Sequence, residues 1–158
     1  MRNKIRSGFT IVELLIVIAI IGIMATTMMV LISPAKQLAK ARDTQRETDI
    51  YSILSLVRQY ATEHSGTFPD TDGNPATSNF PTTLTCIGTN AGCFNLAAAG
   101  DSEQTIIPDY VVSLPKDPRP LVASEGTDGN TGYKIMVDVN NHLTASASGE
   151  TKVVSITK

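Results

Sequence analysis

Gly8-Phe9-Thr10-Ile11-Val12-Glu13-Leu14-Leu15 opens a stretch that continues IVIAIIGIMATTMMVLI to position 32. How this stretch is read decides how the rest of the chain is read. From 9 to 32 the only ionisable side chain is Glu13, in about 24 residues that are otherwise apolar, small or hydroxyl-bearing. A helix rising about 1.5 Å per residue over that length crosses roughly 30 Å of hydrocarbon. Arg2, Lys4 and Arg6 precede the run with no acid beside them, and such an excess of cations marks the cytoplasmic end of a span. Most of the chain is then expected outside. A secretory signal peptide cut within Ser33-Pro34-Ala35 is a competing reading. Against it stand the length of the run, Pro34 inside the site and a carboxylate inside the apolar segment. A plain single-pass anchor is the other alternative, and it leaves Glu13 unexplained.

The average composition hides this segregation. The chain of 158 residues is 42% hydrophobic with mean hydropathy +0.04, values typical of a soluble domain, yet from Gly66 onward it is crowded with Thr, Asn, Asp, Ser, Gly and Pro. Length allows one compact core. The net charge of −2 becomes −5 if residues 1–8, with three cations and no acid, are removed. From His64 onward five Lys or Arg face ten Asp or Glu. No basic patch is available to neutralise phosphates, which argues against nucleic acid as the main partner.

The octapeptide Gly8 to Leu15 resembles the processing motif of the type IV pilin and pseudopilin family. The agreement covers the short basic leader MRNKIRSG, the glycine, the phenylalanine after it, the glutamate fifth after the cut and the uninterrupted apolar continuation. The resemblance implies that a prepilin peptidase cuts between Gly8 and Phe9 on the cytoplasmic side and methylates the new amino terminus. It implies that Glu13 attracts that terminus on a neighbouring subunit. It also implies an assembly ATPase and an inner-membrane platform as partners, with copies of the chain and related minor pilins as filament neighbours and membrane lipid around the subunit before assembly. The implied product is a surface or extracellular filament, and neither a catalytic residue nor a cofactor is expected. The implied fold is α+β, a long N-terminal helix with a membrane-spanning first half and an amphipathic second half packed on a small antiparallel sheet. The physical reading of Gly8 is an unhindered peptide presented to a protease at the membrane surface.

Beyond the apolar run, the expected organisation is a leader at 1–8, a transmembrane and assembly helix at 9–32, an amphipathic helix at 33–65 and a globular head at 66–158. Pro34 either kinks the helix or restarts it with Ser33 as cap. Leu38, Ile50, Ile53, Leu54, Val57, Tyr60 and Ala61 recur at three- and four-residue spacing and predict a stripe against a sheet. Lys36, Lys40, Arg42, Asp43, Arg46, Glu47 and Asp49 read as a solvated or intersubunit-paired face. The helix is expected to stop near His64-Ser65-Gly66. Residues 66–131 read as a loop region. In 132–158, Tyr133, Ile135, Val137 and Val139 alternate, Asn140-Asn141 supplies a tight turn into Leu143, Ala145 and Ala147, and a third strand follows at about 151–157.

Cys86 and Cys93 are the only cysteines. A disulfide fits best on the expected extracytoplasmic side; two free thiols or half a zinc site are the other readings, and His64 and His142 are not at ligand spacing. Asp70-Thr71-Asp72-Gly73-Asn74 and Asp128-Gly129-Asn130 read as turns rather than calcium loops, because glycine and Pro81 fall in the wrong places for an EF-hand. No metal site is expected. Gly66-Thr67-Phe68-Pro69, Leu114-Pro115-Lys116-Asp117-Pro118 and Gly132-Tyr133 resemble landmarks of the subgroup containing the major pseudopilin of type II secretion. The chain departs from that subgroup at Arg119-Pro120. Pilus, secretion pseudopilus and DNA-uptake pilus stay open, as does a membrane-anchored binding module or exported enzyme of another class.

Overall fold

A computed structural model describes residues 8–31, 33–73 and 78–158. Residues 1–7, with Arg2, Lys4 and Arg6 of the expected leader, lie outside the described residues, as do Ile32 and 74–77, with Asn74 and Pro75. The chain divides into two compact units, Met1–Leu38 and Ala39–Lys158.

The first unit contains α1, Ile11–Leu31. Residues 11–28 are all exposed, and this apolar helix is long and apolar enough to cross a membrane. Its hydroxyls are quenched internally. Thr26 Oγ1 donates to the Ile23 carbonyl at 2.8 Å and Thr27 Oγ1 to the Met24 carbonyl at 2.9 Å, which removes the need for water at those positions.

The second helix, α2, is Pro34–Glu63. Proline fits the first helical position because its missing N–H would have no intrahelical partner there. The Ser33 carbonyl accepts from the N–H groups of Lys36 and Gln37 at 3.1 and 3.2 Å, so the helix restarts at the proline. It ends where expected: Ser65 and Gly66 take φ of 56° and 90°, and the Gly66 N–H reaches back to the Ala61 carbonyl at 2.7 Å, the six-to-one bond of a left-handed helix stop.

In the second unit four antiparallel strands follow in the order β1-β2-β3-β4. They are β1 Thr85–Cys86, β2 Tyr133–Val137, β3 Leu143–Ser148 and β4 Val153–Thr157. Ile135 pairs with Ala145 in β3 and with Thr85 in β1. Tyr133, Ile135, Val137, Leu143, Ala145, Ala147 and Val154 enter one core with Ile50, Ile53, Leu54, Val57 and Tyr60 of α2. The expected α+β architecture, a helix stripe on a small antiparallel sheet, is present.

Several expectations are corrected. Leu38 is 59% exposed and lies in the first unit, outside the head core. Val139 is 99% exposed; β2 ends at Val137 because the Asp138 carboxylate accepts the N–H groups of Asn140 and His142, both at 2.8 Å, and closes a wider turn than the two-residue one expected. The 66–131 region adds its own residues to that same core. Phe80, Ile87, Phe94, Leu96, Ala99 and Ile106 are buried, and Phe80 stands between Phe68 and Phe94 with ring centroids 5.2 Å from each, a spacing at which tilted aromatic pairs attract. Strand β1 and a five-residue turn at Ile106–Tyr110 also fall within it.

The largest departure is on α2. Asp43 and Arg46 are fully buried rather than solvated. Arg46 forks onto Asp117, Nε to Oδ2 at 2.7 Å and Nη2 to Oδ1 at 2.6 Å, and gives Nη1 to Asp43 Oδ1 at 2.7 Å. Asp43 also accepts the N–H groups of Glu150 and Thr151, each at 2.8 Å, and the Thr151 hydroxyl. Arg42 meets Glu150 at 2.5 Å, and Tyr133 donates its hydroxyl to Asp49 at 2.6 Å. Arg42, Asp43, Arg46 and Asp49 of the mixed-sign face therefore form an intramolecular clasp between the helix and the head, while Lys36 and Lys40 are exposed as expected.

Burial pushes the Asp43 carboxyl upward, but hydrogen bonds from Thr151, Glu150 and Arg46 outweigh it and hold the group well below the ordinary aspartate range. A depressed folded value means the stabilisation is complete above the unfolded carboxylate value and is lost as pH falls toward the folded one. The head is therefore expected to lose stability progressively below about pH 4. Melting curves at pH 6 and pH 3 should separate clearly for wild type and much less for Asp43→Asn; parallel shifts in both proteins would refute the assignment.

Candidate processing and assembly site

The Gly8–Phe9 peptide lies just ahead of α1. A Cβ built on Gly8 meets nothing within 4 Å, and Phe9 is 79% exposed, so the bond between them is accessible and outside the helix.

The helix begins after Thr10 for a local reason. Thr10 Oγ1 accepts the Glu13 N–H at 3.2 Å, while Glu13 Oε2 faces the Thr10 N–H and hydroxyl at 3.5 and 3.4 Å. The Thr10 carbonyl accepts from the Leu14 N–H at 3.2 Å. This is the reciprocal capping box of Thr-x-x-Glu, in which two orphan N–H groups of the first turn find acceptors. It also places the carboxylate at the positive end of the helix dipole.

Glu13 thus sits in the first turn, a position at which a membrane carboxylate stays near the headgroups rather than at mid-bilayer. Within the single chain its partners are those of its own Thr10. The sequence reading singled out Gly8, Phe9 and Glu13 and missed Thr10, although a threonine three residues before a glutamate at the head of an apolar run is itself a helix-start signal.

The other candidate pair lies in the head. Cys86 and Cys93 are joined by a disulfide with Cα atoms 4.6 Å apart. The Phe94 N–H donates to the Cys86 carbonyl at 2.7 Å, so the bridge closes a short loop that delivers Phe94 into the core and covers the outer edge of β1. For a loop of this length the chain-entropy gain is about 2 to 3 kcal/mol.

The two aspartate-rich stretches are turns. Asp70 Oδ1 accepts from the Gly73 N–H at 2.9 Å, and Asp128 Oδ1 meets Lys116 Nζ at 2.8 Å. Among the described residues no group of three or more His, Cys, Asp or Glu side chains is arranged to hold a metal ion.

Residues 3–29 match the family model of the prokaryotic N-terminal methylation motif. No curated protein and no solved structure matches the chain. The chain thus carries a prepilin-type methylation motif at the head of a long apolar helix, and a helix-on-sheet α+β unit of pilin-like kind follows it.

Proposed function

We propose that the chain is a structural subunit of a type IV pilus-like filament. A prepilin peptidase cuts it after Gly8 and methylates Phe9. The precursor rests in the cytoplasmic membrane through residues 9–32 with its head outside. An assembly ATPase and an inner-membrane platform then draw it into a helical array of its own copies and minor pilins. The observation that carries this reading is the methylation motif at residues 3–29 running directly into α1. A head-to-tail contact that repeats without closing gives such a filament.

The short resemblances at Gly66 to Pro69, Leu114 to Pro118 and Gly132-Tyr133 favour a second reading within the family, a pseudopilin of type II secretion. Neighbouring genes for a secretin, a retraction ATPase or a DNA channel discriminate among secretion, twitching and DNA uptake. A membrane-anchored binding module is the alternative of another class.

Terminal sequencing and intact mass of the protein from membranes test the proposal. The expected mature chain begins at N-methylated Phe9. A chain beginning at Lys36 points to signal peptidase and sinks the filament reading, while an uncut chain with Met1 in place points to a plain anchor.

A further inference from the structure

We infer that the end of the second unit at which α2 enters it is a docking surface for an anionic lipid bilayer, with Leu121, Val122 and Val153 meeting the acyl boundary and Arg119 and Lys152 meeting lipid phosphates. The inference rests on the proposed membrane seat of α1 and goes beyond it by giving the head a lipid contact of its own.

Charge is sorted along this unit. Residues 39–158 carry nine Lys or Arg against fourteen Asp or Glu, so as a whole they are repelled by an anionic surface. Acids gather at the carboxyl end of α2: the Tyr110 hydroxyl donates to Glu63 at 2.6 Å, His64 Nε2 lies 3.1 Å from Asp101 Oδ2, and the Thr105 N–H donates to Asp109 at 2.8 Å. The opposite end is basic. Helix stability does not account for this sorting, because α2 has no acid in its first turn and no base in its last, and the macrodipole favours the reverse.

The basic end is built around Glu150. Arg42 Nε meets Glu150 Oε1 at 2.5 Å and Arg119 Nη1 meets Oε2 at 3.3 Å, while Asp43 and Asp117 are buried on Arg46. Glu47 faces Lys152 at 3.7 Å, and Glu125 is half-buried behind the loop. The charges turned outward are then those of Arg119 and Lys152, both exposed. Beside them in the chain stand Leu121, Val122 and Val153, each more than half exposed. The backbone holds them there. The Arg119 carbonyl accepts from Arg46 Nη2 at 2.6 Å, the Val122 carbonyl accepts from the Glu125 N–H at 3.0 Å, and Val153 is paired with Ser148 in the sheet.

Apolar side chains set among cations are the composition of surfaces that lie in the headgroup boundary, and each Lys or Arg adds attraction to anionic lipid. Residues 32–38 alone separate α1 from this unit, so under the membrane reading a bilayer is within reach. A second copy is the poorer occupant. The same surface on another copy would set Arg119 and Lys152 against their own charge, and in the acidic end Glu63, Asp101 and Asp109 are already engaged by Tyr110, His64 and Thr105.

Methyl spectra of the full chain in lipid nanodiscs carrying a spin-labelled lipid test the docking. Three exposed valines provide the comparison: Val122 and Val153 belong to the basic end, and Val139 follows β2 at the far end of β3. In phosphatidylglycerol discs the methyls of Val122 and Val153 should broaden and those of Val139 should not. Replacing phosphatidylglycerol by phosphatidylcholine should lower the docked-to-free ratio about tenfold, the worth of two cations at an anionic surface. The double variant Arg119→Gln, Lys152→Gln in phosphatidylglycerol should show the same loss with unchanged core methyl shifts; the lipid comparison uses the wild-type chain and stands whatever the fold of the variant. Resistance to carbonate extraction reports insertion of α1. An inserted chain whose Val122 and Val153 broaden no more than Val139, or equally in both lipids, would overturn the inference alone. A chain that does not insert would overturn the membrane seat with it. Shifts of Val122 and Val153 that follow protein concentration in neutral detergent, with no response to lipid, would assign the surface to a second copy and overturn lipid docking.

Discussion

Arg46→Met is expected to destabilise the head by about 3 to 5 kcal/mol, the usual consequence of removing one partner from a buried ion pair. The methionine fills much of the same volume, so the loss comes from charge rather than from a cavity. Asp43 and Asp117, both buried, would face each other's surroundings without the guanidinium that now touches both. A domain of this size holds about 5 to 15 kcal/mol in total, so the variant should melt far earlier or fail to accumulate. Chemical denaturation followed by near-ultraviolet dichroism measures it directly. The triple variant Arg46→Met, Asp43→Asn, Asp117→Asn should recover part of the loss, because the uncompensated charges are gone. A midpoint for Arg46→Met equal to wild type would mean that the clasp contributes nothing.

Under the proposed filament reading, Glu13→Val should remain inserted and be cut after Gly8, yet assemble at least tenfold less when it is the only subunit present. The amino group created at Phe9 and the Glu13 carboxylate of a neighbour would be buried together in a dry core, and a charge-assisted pair is worth about 1.5 to 3 kcal/mol per contact. Any register that left either group unpaired would be penalised, so the pair would fix the axial step. The capping box adds a condition. Glu13 leaves or shares its contacts with Thr10 to meet a neighbour, and those contacts, at 3.4 and 3.5 Å, are long for hydrogen bonds and easily exchanged. The measurement is filament protein in sheared surface fractions beside processed protein in membranes. Wild-type yield from Glu13→Val would defeat the pairing while leaving the family assignment standing; an uncut protein would instead place Glu13 in protease recognition.

The apolar helix was legible because nothing interrupts it but Glu13. The core face of α2 was legible from Ile50 to Tyr60 for the same reason, and β2 to β4 were legible from alternation and the spacing of turns. What escaped reading was the continuation of that face toward the amino end. Positions 43, 46, 50, 53, 57 and 60 keep the three- and four-residue rhythm of one helix side, but the first two carry charges, and periodicity read from hydrophobicity stops where charge begins. Their partners lie 71 and 107 residues away, beyond any local signal. Leu38 misled in the opposite way, an apolar residue on the extrapolated stripe that is exposed and falls in the first unit. In the 66–131 region the core residues Phe80, Phe94, Leu96 and Ile106 follow no period, because each is delivered by a separate turn. Strand β1, two residues long, is too short to leave a pattern. Of the N-terminal site, the resemblance identified the cut and the glutamate, and the hydrogen-bonded threonine between them appeared only with the coordinates.

The two hairpin turns of the sheet differ in what they tolerate. The β3–β4 turn is gripped: a Cβ on Gly149 would stand 2.1 Å from the Lys152 carbonyl oxygen and 2.7 Å from Asp43 Oδ1, and the next two N–H groups are already committed to Asp43. The β2–β3 turn is built around Asp138 alone and holds Val139 wholly in solvent. A peptide tag or fluorophore for imaging the protein therefore belongs at Val139 or Asn140, where exposed tips accept added chain, and not at the superficially similar Gly149-Glu150, where it would unfasten the helix from the sheet.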